Sequence, residues 1–71
     1  MAVHVMFEMN DNGEAFVANS TLEIIPRKGE QIWFVPAGER KTCTVVDVCH
    51  LIAIDNGNSY HTAHVYLETI K

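Results

Sequence analysis

Apolar residues recur at every second position along this chain, in short runs broken by Gly, Asn, Asp and Pro. In "AVHVMFEM", residues 2–9, Val3, Val5, Phe7 and Met9 face one way and His4, Met6 and Glu8 the other. Side chains alternate across a strand with a period of two, so this run predicts a strand with one buried face. "NDNGE" at 10–14 holds Asn-Gly, the pair that supplies the positive φ angles of a tight hairpin turn. "AFVA" returns as a short strand, and "STLEIIP" gives either a further extended piece or one helical turn capped by Ser20. "RKGE" at 27–30 turns, "QIWFVP" at 31–36 extends, and "AGER" at 37–40 turns again. "KTCTVVDVCHLIAID" at 41–55 is long for a strand, which predicts a bend or bulge within it. "NGN" turns once more and "SYHTAHVYLETI" extends after it. Helix-period segments, internal repeats, low-complexity tracts and linkers are absent from the pattern. The expected fold is all-β, with about five or six short antiparallel strands in one domain over residues 1–71.

The last hairpin has a derivable register. With Asn56-Gly57 at the centre of a type I′ turn, Asp55 pairs with Asn58. Counting outward pairs Ile52 with His61, His50 with Ala63, Val48 with Val65 and Val46 with Leu67 on the face expected to be the core. On the other face Ala53 meets Tyr60, Cys49 meets His64 and Asp47 meets Tyr66. A one-residue slip would mix the two faces.

Composition narrows the functional classes. The 71 residues are 48% apolar and 20% charged, which describes a globular chain with a thin core. Domains of this size commonly need a disulfide, a metal or a partner chain. No apolar run approaches the ~20 residues of a membrane helix. The opening "MAVHVMFEMND" lacks the basic and apolar regions of a signal peptide, which predicts a cytoplasmic protein with no membrane association. Nine acids against five bases leave a net charge of −4, so a phosphate-neutralising mode of nucleic-acid binding is poorly supplied. The bases that could touch an anion or a nucleic acid are the turn pairs Arg27-Lys28 and Arg40-Lys41. Cys43 and Cys49, six apart on one extended strand, would lie ~20 Å apart, beyond the ~7 Å reach of a disulfide. They are expected as free thiols.

Residues 48–67 gather one cysteine, three histidines and two tyrosines. His61 and His64 are spaced for one face of a helix, but a strand sends them to opposite faces. The register brings Cys49 and His64 together, and two ligands fall short of the four of a structural zinc site. Cys49 with His64 and Asp47 also suggests a thiolate nucleophile, yet no oxyanion hole or Gly-rich loop is readable beside it. The reading is therefore of no catalytic residue, no metal site and no cofactor. The outer face of the hairpin is informative in another way. It should carry Cys49, Leu51, Ala53, Tyr60, Thr62, His64 and Tyr66, apolar and aromatic where a solvated sheet face is normally polar. In "QIWFVP", whichever of Trp33-Val35 or Ile32-Phe34 points inward, the other pair needs cover. Such surfaces have the composition of interface cores.

The stretch "RKGEQIWFVPAGERKTCTVVDV", residues 27–48, resembles the opening of small SH3-like barrels of the KOW and Tudor type. Gly29, Glu30, Ile32, Gly38 and Val48 fill the places of that pattern. Lys41-Thr42 stand where a KOW element has a further glycine, and no Tudor-type aromatic cage is identifiable. The resemblance implies a curled sheet or SH3-like barrel that binds nucleic acid or peptide. Together these readings predict a non-enzymatic interaction module. It would self-associate, as a dimer first of all, through a face holding Trp33, Cys49, Leu51, Tyr60, His64 and Tyr66, a surface that could also take another protein partner. The alternative is a single-stranded nucleic-acid or peptide binder that stacks bases on Trp33, Tyr60 and Tyr66.

Overall fold

The computed structural model describes residues 2–35 and 38–70; Pro36 of the predicted third extended run and Ala37 of the turn after it lie outside them. Five strands run in chain order: β1 (Val3–Asp11), β2 (Glu14–Leu22), β3 (Gln31–Phe34), β4 (Lys41–Asp55) and β5 (Asn58–Thr69). There is no helix among the described residues. The strands form one curled sheet, a half-barrel compatible with an SH3-like fold, in the order β2-β1-β5-β4-β3. β2 absorbs both "AFVA" and the start of "STLEIIP", so the helical alternative at Ser20 does not form.

Three of the four strand pairs are antiparallel, as expected. β1 and β5 pair in parallel, from His4↔Thr62 to Asn10↔Glu68. The sequence pattern carried no signal for this pair. Turns dictate direction only for strands they join, and β1 and β5 are joined by none. The result is a mixed sheet with β5 at its centre.

Both Asn-Gly turns form as read. Asn12 and Gly13 have φ of 50° and 86°, and Asn56 and Gly57 have 48° and 82°. They close Asp11↔Glu14 and Asp55↔Asn58 respectively. These are the left-handed conformations a type I′ turn requires, and glycine tolerates them at its second central position.

β4 carries the expected irregularity. The β4–β5 register is continuous from Asp55↔Asn58 to Asp47↔Tyr66, then jumps to Val45↔Leu67. Val46 is the extra residue of a β-bulge, so the expected pairing of Val46 with Leu67 is replaced by that of Val45. A bulge inverts the side-chain parity beyond it. Val48, His50 and Ile52 face the core side on one flank of the bulge, and Cys43 and Val45 do so on the other. Cys43 is thus buried while Cys49 is exposed on the opposite face, and both are free.

The core lies on the concave face: Val5, Phe7 and Met9 from β1, Phe34 from β3, Cys43 and Val45 from β4, and Ala63, Val65 and Leu67 from β5. The Phe7 and Phe34 rings meet at 5.8 Å, tilted by 48°. Ile32 packs against this cluster, so Ile32-Phe34 is the inward pair, and Trp33 and Val35 remain exposed. The connection from β2 to β3 must pass from one edge of the sheet to the other. Its Ile25 packs on the core as it crosses, so this segment covers the concave face and leaves the outer face open. Gly29 and Glu30 then bond the backbone of Val45, each at 2.8 Å.

β4 and β5 outrun their neighbours. β1 flanks β5 only from Thr62 onward, and β3 flanks β4 only as far as Thr44. The distal part of the hairpin is therefore a two-stranded arm, and the molecule measures 45 × 20 × 19 Å. Every residue from 49 to 61 is exposed. This corrects one expectation: Ile52 shares the core's side of the sheet, but the core ends near Val48 because no third strand lies beside the arm.

Candidate interaction surface

The outer face runs from Trp33 at one end to the arm at the other. Its middle holds Cys49 opposite His64 and Asp47 opposite Tyr66, as the register requires. The His64 and Tyr66 rings stack at 4.2 Å with an interplanar angle of 17°. They sit two apart on β5 and so share a face. Nε2 of His64 is buried and has no hydrogen-bond partner. An open groove of about 720 Å³ passes this place, lined among others by Asn10, Asp47, Cys49, Tyr66 and Glu68. Cys49 and His64 are neighbours across the strands without a hydrogen bond between them among those formed by the described residues. No group of three or more His, Cys, Asp or Glu gathers at metal-binding geometry among those residues.

The arm exposes large apolar side chains on this face. Leu51 and Tyr60 are 65% and 62% exposed. On the arm's other side Ile52 and Ile54 are exposed as well, at 63% and 77%. The sequence reading placed the excess apolar surface on one face; the arm presents it on both.

Trp33 stands apart from this cluster. It pairs with Thr42, nine residues from Leu51 along β4, or roughly 30 Å of extended strand. Its ring is covered by the Arg40 guanidinium at 4.6 Å, a cation–π contact. Lys41 is held by Asp11 at 3.2 Å and by Glu39 at 3.3 Å. Hydrogen bonding to Asp11, then to Glu39, raises its pKa above the ordinary lysine value. Arg27 and Lys28 line a separate cleft of about 340 Å³ with Ile25, Pro26, Val48 and His50. The four bases therefore do not form one patch: two engage neighbouring side chains at one end of the sheet and two border the concave face.

The structure also joins two residues that the sequence reading placed on one face without bringing them into contact. His50 Nδ1 and His61 Nε2 are 2.8 Å from each other, with ring centroids at 5.0 Å. His50 pairs with Ala63 and His61 with Ile52, so the two histidines are diagonal neighbours on one face. The signal was present in the register, since diagonal positions lie ~7–8 Å apart, within reach of aromatic side chains.

No family model matches the chain, no curated protein matches it, and no solved structure matches it.

Proposed function

We propose that this chain is a non-enzymatic interaction module that self-associates, as a two-fold dimer, through the arm and the adjoining outer face. The observation that carries the reading is the arm itself. A two-stranded hairpin is marginal in water without a third strand or a packing partner. This one exposes Leu51 and Tyr60 together on its outer side, with Ile52 and Ile54 exposed on the reverse. Contiguous apolar surface of this kind is uncommon on a monomer and marks a binding surface. A second copy is the simplest occupant, because a two-fold axis lays the same patch against itself. Leu51 and Tyr60 would be the anchors, with Cys49, His64 and Tyr66 continuing the contact and Trp33 outside it. The free thiols accord with a reducing, cytoplasmic setting.

Light scattering across a concentration series tests this directly. The expected result is a mass of twice 8.0 kDa at micromolar concentration, falling to the monomer on dilution. Leu51→Glu should abolish it by burying an unpaired charge at the contact. A monomer at every concentration would reject the proposal.

One observation favours a second reading. Trp33 is 68% exposed on a half-barrel compatible with an SH3-like fold, and Arg40 lies beside it. That pair would suit a base or an aromatic peptide side chain in a KOW- or Tudor-type binder. Salt-dependent retention on an immobilised single-stranded oligonucleotide, lost in Trp33→Ala, would favour it over self-association.

A further inference from the structure

We infer that His50 and His61 form a two-histidine site for a borderline divalent metal ion, with Zn²⁺ as its defining probe. The site lies on the core's side of the arm, opposite the proposed contact face, and stands independently of it. Both residues are exposed, and the facing nitrogens, Nδ1 of His50 and Nε2 of His61, are 2.8 Å apart. In that hydrogen bond one ring donates and the other accepts. A neutral imidazole can move its proton to its far nitrogen. The donor ring would do so, Nδ1 to Nε2 in His50 or Nε2 to Nδ1 in His61. Both rings then present lone pairs to the same space, with no net gain or loss of protons. Metal–nitrogen bonds of about 2.0–2.1 Å place two ligands of a tetrahedral ion roughly 3.3 Å apart, and cis ligands of a square ion roughly 2.9 Å apart. The existing separation needs to open by half an ångström or less. Rotation of two exposed side chains supplies this without moving the backbone.

The ladder accounts for the preorganisation. The register holds the two histidines at diagonal positions on one face of an antiparallel hairpin, two pairs apart, so both rings are aimed before any ion arrives. The donor set sets the ligand class. Imidazole nitrogens suit Zn²⁺, Cu²⁺ and Ni²⁺, whereas Mg²⁺ and Ca²⁺ require oxygen donors. Arg27 and Lys28 line a cleft together with His50 and disfavour a cation beside it, but exposed charges are screened over ~8 Å at physiological salt. Two protein ligands leave the remaining positions open to water.

The test is a Zn²⁺ titration of the intact chain, followed by nitrogen-detected NMR of the histidine side chains and by calorimetry. The ring resonances of His50 and His61 should move together and saturate, and millimolar Mg²⁺ should move neither. His50→Gln and His61→Gln should each weaken Zn²⁺ binding at least tenfold. Both positions are exposed, so the amide spectrum should report an intact sheet in each variant. Unmoved His50 and His61 resonances in excess Zn²⁺, or wild-type affinity in both variants, would overturn the site.

Discussion

Two cysteines of the same strand meet opposite fates because one residue is inserted between them. Cys43 is fully buried, with its Sγ 3.4 Å from Met9 Sδ, whereas Cys49 is exposed beside the outer groove. Desolvation, with a smaller effect from Asp11, raises the Cys43 pKa and keeps it a neutral thiol at physiological pH. In the dilute monomer Cys49 should therefore react with Ellman's reagent as a free, accessible thiol, and Cys43 only as fast as the sheet opens. Equal rates for both thiols would contradict the burial. The sign of the linked pH effect follows from the raised value. The stability held by the neutral Cys43 is fully present below the unfolded thiol pKa and is lost as pH rises through the folded one. Lys41 behaves alike at higher pH: its pairing with Asp11 supports the fold below about pH 10.5 and fades as the ammonium deprotonates. The pairing of Cys49 with His64 was legible from the turn alone. The burial of Cys43 was not, because an even count from Cys49 puts it on the outer face and only the bulge at Val46 reverses it.

The two Asn-Gly turns offer a comparison between elements of equal chemistry and unequal support. A Cβ at Gly13 or Gly57 would meet nothing within 4 Å, so only the backbone strain of positive φ acts at either site. Alanine should cost about 1 kcal/mol of turn stability in each case. At Gly13 the turn closes β1 onto β2, which belong to the core sheet. Gly13→Ala should lower the global unfolding free energy by that amount, seen as a shift of the urea midpoint. At Gly57 the turn closes the unsupported arm. Gly57→Ala should leave the global midpoint within a few tenths of a kcal/mol and raise hydrogen exchange only over residues 50–61. The turns and the alternation on β1 were readable because each is a local property of a few residues. The arm was not. Ile52 and Ile54 alternate as core residues do, and nothing in a strand's own pattern tells whether another strand lies beside it.

At the scale of the whole molecule the sheet is held by one layer of apolar side chains on its concave face. Leu67 is 1% exposed at the centre of that layer. Leu67→Ala should cost roughly 2–5 kcal/mol, comparable to the entire stability of a domain this small, and leave the chain largely unfolded at 37 °C by circular dichroism. If the arm is covered by a second copy, melting should shift upward with protein concentration, which a differential scanning measurement at two dilutions would detect. A net charge of −4 and dispersed bases predict no retardation of duplex DNA in a gel at physiological salt. All-β character and a small curled sheet followed from strand length and turn spacing. The parallel β1–β5 pair did not, since their pairing is settled by packing across nearly the whole chain.

That pair has a consequence for how the protein is made. β5, the last of the five strands to be translated, occupies the middle of the sheet, with β1 on one side and β4 on the other. Until it leaves the ribosome, the nascent chain can hold only two separate ribbons, β1 with β2 and β3 with β4. Neither has a closed core, because Ala63, Val65 and Leu67 are still to come. Folding therefore waits until β5 has been made, with strand edges exposed meanwhile to pairing with other chains. A stalled chain ending before Thr62 should bind chaperones and resist no protease, whereas one extended past Thr69 by a linker long enough to clear the exit tunnel should fold on the ribosome.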